Sequence, residues 1–218
     1  ADVLGSLPDT TPGSIYSRYV DKYGYDHLFP AVNTPLGCLG TIVCFDMNFP
    51  ETTRALVRRG AEVILHPTSE PHGGGRSAWE MGRRTRAFEN TAYVVSAAMG
   101  GEYLNHADTV PNLYSRGHAK IVNFDGNVQV VADGPGRVAL EGRIDLRALR
   151  KARANPFSNL AAWDEPAVYG HVYAARQGLP NDLWADDAAA FPYRGMKPTI
   201  EEVRQYTEDG IFVRPDAA

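Results

Sequence analysis

Cys44-Phe45-Asp46, followed by Phe49-Pro50-Glu51, is the segment of this chain best suited to chemistry. Cys44 closes a strand-like run that begins at Leu39, and a helix-like run, Glu51 to Arg59, starts soon after it. A thiol at a strand-to-helix turn is presented at the edge of a sheet, beside backbone N–H groups that can steady a developing oxyanion. A nucleophile belongs at such a place. Packing is the competing explanation, because free cysteine is among the most buried residue types.

Other candidates are weaker. His118, after Ser115-Arg116-Gly117, reads either as a base for Cys44 or as a structural, pocket-lining group. Thr68, Ser69 and Glu70 follow a strand end in a loop, where α/β proteins tend to bind ligands, although Glu70 reads equally well as a solvated charge. Arg84, Arg86 and Glu89 are expected to form helix-surface or subunit ion pairs of little worth if exposed. Gly73-Gly74-Gly75 lacks the spacing and the lysine of a phosphate loop. His66 and His72 are too isolated to suggest a metal site.

The 218 residues are 44 % hydrophobic and 22 % charged, an ordinary globular balance. The net charge of −4 and the absence of a basic block argue against nucleic acid and anionic membranes as partners. No apolar stretch approaches a membrane span, and the first twelve residues have no basic n-region. Two cysteines, Cys38 and Cys44, make neither a disulfide framework nor a zinc site. On one side of one strand they would form a strained disulfide, so a reducing, cytoplasmic setting is expected. The chain opens on Ala-Asp-Val-Leu-Gly without methionine and is expected to be the later part of a longer one.

Residues 1–30 read as loop with one short helical turn and an aromatic surface from Tyr16, Tyr19, Tyr23 and Tyr25. Strands are expected at 29–32 and 39–45, joined by the turn Thr34-Pro35-Leu36-Gly37. Asn48 and Pro50 suit the start of the next helix and Gly60 its end. A strand at 62–66, a helix at 76–90 and a strand at 91–98 complete an alternating α/β pattern with right-handed crossovers. After a long loop, 99–117, strands are expected at 118–124, 128–132 and 138–144, with Asp125-Gly126-Asn127 turning between the first two. Asp145 caps a helix over 146–154. Two parts are expected: a domain over 1–154 and an irregular, aromatic extension over 155–218, with a helix near 199–208, that wraps the domain or a second subunit.

Gly37-Cys-Leu-Gly-Thr-Ile-Val-Cys-Phe-Asp-Met-Asn-Phe-Pro-Glu51 resembles the nucleophile segment of the nitrilase (carbon–nitrogen hydrolase) superfamily. The likeness continues through Arg59 to Leu65, Arg84 to Asn90, Ser115 to His118, Phe124 to Asn127 and Ile144 to Leu146, and the tail looks like that of the aliphatic amidase and formamidase branch. The resemblance implies an α/β fold, the α-β-β-α sandwich of the nitrilase type, here lacking its N-terminal part. It implies homo-oligomers and hydrolysis of a small-molecule amide, nitrile or carbamoyl C–N bond, with no metal or organic cofactor. The family uses a Glu base, a Lys and a Cys nucleophile. A free thiol has a pKa of about 8.5, so a base or cation is needed to make thiolate at neutral pH. Cys44 would be the nucleophile and the backbone N–H of Phe45 an oxyanion donor, with Thr68, Ser69, Glu70 and His118 lining the substrate pocket. The family's Glu and Lys lie upstream of the matching stretch, and none of Lys22, Lys120, Lys151 and Lys197 stands in the expected context. A non-catalytic fragment or interaction subunit with the same fold is therefore the alternative expectation.

Overall fold

The chain is described here by a computed structural model over residues 12–69, 76–102, 105, 107, 109, 113–114, 117–132, 134, 136–175, 181–182 and 196–213. It divides into two compact units, Phe29–Asp164 and a second made of Ala1–Leu28 with Glu165–Ala218. The second unit holds helix α1 (Tyr16–Tyr23), where a short turn was expected. Ser17 anchors α1 by donating its backbone N–H and its hydroxyl to the two carboxylate oxygens of Asp182, at 2.8 and 2.6 Å.

In the larger unit, β1 (Ala31–Thr34) and β2 (Gly37–Thr41) form an antiparallel hairpin. The Thr34 hydroxyl closes its turn, accepting from Leu36 N–H and donating to Gly37 O. The second strand was expected to run to Phe45 but stops at Thr41, and Cys44–Asn48 winds into a 3-10 turn instead. The cause is local: the Asp46 carboxylate takes the Val43 N–H at 2.9 Å, a donor that a continuing strand would need for its ladder. Helix α2 (Pro50–Arg58) follows, with Phe49 rather than Asn48 at its N-cap; the Asn48 amide donates back to Phe45 O. Gly60, at φ +103°, ends it in the left-handed region open to glycine.

The next elements alternate as expected. β3 (Val63–Thr68) pairs parallel to β2, helix α3 (Arg76–Asn90) crosses over, and β4 (Tyr93–Ala98) pairs parallel to β3. The long loop contains a two-residue ladder, β5 (Gly101–Glu102) with β6 (Leu113–Tyr114). β7 (Lys120–Val122) and β8 (Val128–Val131) then extend the sheet antiparallel, giving the order β1-β2-β3-β4-β7-β8. Residues 138–144 were expected to add a strand and do not. The Gln129 side chain occupies the backbone groups of Arg143 there, donating to its carbonyl and accepting its N–H. Asp145 caps α4 (Leu146–Ala154) as expected, its Oδ1 accepting from Ala148 N–H.

Alternation along β3 and β4 separates two apolar clusters on opposite faces of the sheet. Ile64 and Val94 join Ile42, Met47, Leu56, Ala87 and Val122 in one. Val63 and Tyr93 join Leu149, Leu39, Leu65, Val95, Phe124 and Leu146 in the other. Burying each large aliphatic side chain contributes about 1.5–3 kcal/mol, so the first cluster is the main anchor of the turn that carries Cys44. On the second face a fork from Arg150 to the Glu62 carboxylate, at 2.6 and 3.0 Å, ties α4 to the start of β3, and Glu62 also accepts Cys38 N–H. These bonds, the Arg150 fork foremost, hold the Glu62 carboxyl below its ordinary range.

The remaining elements, α5 (Pro166–Ala174) and α6 (Met196–Glu208), belong to the second unit. The sequence signalled α6 but not α5. Val168, Tyr169, Val172 and Tyr173 of α5 are all exposed, so no polar face marks it in the pattern of residues.

Candidate active site

Cys44 is the first residue of the 3-10 turn after β2, half-buried, with its thiol unbridged. Its φ is +47°, in the left-handed region that side-chain-bearing residues enter at a cost of roughly 1–2 kcal/mol. Such a conformation persists only when its surroundings over-determine it. Here they do. Met47, fully buried, plugs the turn into the first core cluster. The carbonyls along the turn are taken one after another. Cys44 O accepts from His66 Nε2 at 3.0 Å, and Phe45 O from the Asn48 amide at 3.0 Å. Asp46 O accepts from the Thr52 hydroxyl at 2.9 Å, and Asn48 O from Arg86 at 3.3 Å.

His66 is the residue that sequence reasoning set aside. It lies on β3, in register with Ser96 of β4, which is in register with Lys120 of β7. All three are buried on the face of the first cluster, where they form a polar row across β3, β4 and β7. Arg83 of α3, also buried, donates from Nε to Ser96 Oγ at 3.0 Å, and Ser96 Oγ lies 2.9 Å from His66 Nδ1. His66 must present N–H at Nε2 to bond a carbonyl, so its Nδ1 is the acceptor for the Ser96 hydroxyl. Burial, reinforced by the Arg83 charge and opposed by the bond to Cys44 O, pulls its pKa down to about 4. The imidazole is therefore neutral at pH 7, with one tautomer dictated by its neighbours.

Lys120 ends the row in an ion pair with Glu80 of α3. Arg86 was expected on the surface. It is buried instead, pairing with Glu89 at 2.9 Å while it holds Asn48 O. Arg84 reaches Gly126 O at 2.9 Å across to the β7–β8 turn. Thus α3 turns Arg83 and Arg86 inward, and Arg84, Met81 and Phe88 are left exposed.

The other residues singled out from sequence are scattered. Phe45 follows Cys44 in the turn, its ring packed edge-on against Phe49 at 5.4 Å. Thr68 is buried at the end of β3 and Ser69 is exposed beside it, while Glu70 and His72 lie outside the described residues. His118 sits half-buried at φ +61° just before β7; the histidine that bonds Cys44 is His66. Cys38, buried in β2, has its thiol pKa raised by burial and next by the Glu62 charge, which disfavours its thiolate. Among the described residues no helix is long and apolar enough to cross a membrane.

A mixed six-stranded sheet with crossover helices, and a left-handed cysteine at the turn beyond one of its strands, defines an α/β protein that presents a thiol between strand and helix. The chain belongs to the carbon-nitrogen hydrolase family, whose model matches residues 6–154. It is 39% identical over 123 residues to the deaminated glutathione amidase of Homo sapiens, covering 56% of this chain and 35% of that protein. The chain spans about a third of the length of this relative and of the corresponding proteins of Bos taurus, Mus musculus and Rattus norvegicus. Two solved structures share the fold. The carbon-nitrogen hydrolase of Helicobacter pylori G27 matches with TM-score 0.54 and 19% identity, over 67% of this chain and 52% of that one. A Saccharomyces cerevisiae member of branch 10 of the nitrilase superfamily matches with TM-score 0.51 and 24% identity, over 60% and 46%.

Proposed function

We propose that this chain carries the nucleophile of a cysteine-dependent hydrolase acting on a small amide or nitrile. The observation that carries the reading is the left-handed Cys44 at the turn after β2, its carbonyl drawn into the interior by His66. In the proposed reaction the Cys44 thiolate adds to the amide carbon, the C–N bond breaks as nitrogen takes a proton and leaves as ammonia or an amine, and a thioester remains. Water then adds to the thioester, releases the acid and returns the thiol. The Phe45 N–H, next in the turn, is assigned to the oxyanion. Thr68, Ser69, Glu70 and His118 are assigned to the substrate pocket. Amides are favoured as substrates by the naming of the curated relatives as amidases. A link to the aliphatic amidase and formamidase branch rests on the tail alone.

The proposed organisation is a hydrolase domain over 1–154 with the 155–218 extension wrapping it or a partner, in a cytoplasmic homo-oligomer. Exposed apolar groups, Met81 and Phe88 on α3 in one unit and Val172 and Tyr173 on α5 in the other, each suit contact with another copy. A non-catalytic subunit is the second reading. The buried Lys120, engaged by Glu80 and lying along the sheet from His66, favours it over a chain that supplies its own catalytic lysine.

Mass spectrometry of the full chain after incubation with propionamide tests the first reading. An acyl adduct on Cys44 is expected. Absence of that adduct while Cys38 is modified ends it, and turnover abolished by Cys44→Ala ends the second.

A further inference from the structure

We propose that His66 is a positioning residue, fixing the Cys44–Phe45 peptide plane through the relay Arg83–Ser96–His66. The proposal rests on Cys44 being the nucleophile for its functional meaning, but its geometry stands apart from any reaction. Each donor in the relay has one acceptor to go to: Arg83 Nε to Ser96 Oγ, Ser96 hydroxyl to His66 Nδ1, His66 Nε2 to Cys44 O. Reversing one bond leaves a like group facing a like group, so the sense of the whole chain is fixed at both ends, by the arginine, which cannot accept, and by the Cys44 carbonyl, which cannot donate.

The consequence lies in the peptide that Cys44 shares with Phe45. A trans peptide is planar and its C=O and N–H point in opposite directions. Holding Cys44 O against the buried imidazole therefore aims the Phe45 N–H away from the interior, the direction from which a substrate must come. The same bond holds Cys44 at φ +47°, a well that a cysteine does not favour unaided. One imidazole thus sets both the backbone of the nucleophile and the direction of the proposed oxyanion donor, 22 residues away along the chain. A histidine there, rather than an apolar side chain of like size, has a further reason. A leucine would fill the space but leave the part-buried Cys44 O without this donor.

His66→Gln, His66→Leu and Ser96→Ala in the full chain test this. Glutamine presents an N–H near the position of Nε2; leucine presents none. By NMR, the Cys44 three-bond amide-to-Hα coupling and Cβ shift of wild type and His66→Gln should report a left-handed residue, and those of His66→Leu a shifted backbone. In Ser96→Ala, nitrogen-15 spectra of His66 should still report Nε2–H, held by Cys44 O, with the Nδ1 resonance moved by loss of the hydroxyl that bonds it. Should His66→Leu not fold, this nitrogen-15 measurement decides. Where the chain turns over propionamide, His66→Leu should lower kcat by about 10- to 100-fold with little change in KM, and His66→Gln should recover most of it. A left-handed Cys44 in folded His66→Leu, or an Nδ1 resonance unmoved in Ser96→Ala, overturns the proposal. Wild type that forms no acyl adduct defeats the functional reading and leaves the backbone measurements to decide the positioning role.

Discussion

Acidification should weaken this fold through His66. Its pKa is about 4 in the folded protein against an ordinary 6.5. Below pH 6.5 the unfolded chain therefore takes up a proton that the folded chain refuses until about pH 4, so the unfolded state binds more protons across that window. Stability then rises with pH through the window and is lost as pH falls. A tenfold difference in proton affinity corresponds to about 1.4 kcal/mol, so the whole effect is roughly 3 kcal/mol, of which about 2 kcal/mol is gone between pH 7 and pH 5. That is a large part of the 5–15 kcal/mol typical of a domain. Urea unfolding at pH 7, 6 and 5, followed by circular dichroism, measures it when wild type is compared with His66→Gln, which cannot titrate. Carboxylates such as Glu62 cancel in that difference. Wild type should lose about 2 kcal/mol more than the variant from pH 7 to 5; parallel losses in the two proteins would refute a buried, neutral imidazole.

Other consequences are as direct. Met47→Ala should cost about 2–5 kcal/mol in urea unfolding, since the side chain is fully buried beneath the Cys44 turn and a cavity would be left. Cys44→Gly should unfold at nearly the same urea concentration as wild type or higher, whereas Cys44→Val should lose about 1–2 kcal/mol, because only the former tolerates a φ of +47°. Iodoacetamide at pH 7.5 should label the half-buried Cys44 at least about tenfold faster than Cys38, whose thiol burial holds protonated; peptide mapping reads the ratio. Glu62→Ala should cost about 1–3 kcal/mol at pH 7 by stranding Cys38 N–H and releasing α4. Because the folded Glu62 carboxyl is held low, that contribution is present above the ordinary carboxylate range and disappears as pH falls through the lowered value.

Much of the architecture was legible before any coordinates. The strand expected at 62–66 and seen at 63–68, the helix at 76–90, and the strand expected at 91–98 and seen at 93–98 followed from apolar runs and turn residues, and Asp145 announced α4 by the side chain that caps it. These signals are local, since pleating, helical period and capping each involve residues within about four positions of one another. The place of the thiol, between a strand and a helix, was legible for the same reason. Its conformation was not. The early end of β2, the left-handed Cys44 and the failure of 138–144 to join the sheet are all set by side chains bonding to backbone. His66 looked isolated because its partners stand at positions 44 and 96, and Arg86 looked like a surface charge because it meets Asn48, 38 residues away. A side chain's worth to a site depends on which donor or acceptor folding brings within about 3 Å of it, and residue types along a chain carry no record of that meeting until the sheet and helices have placed them together.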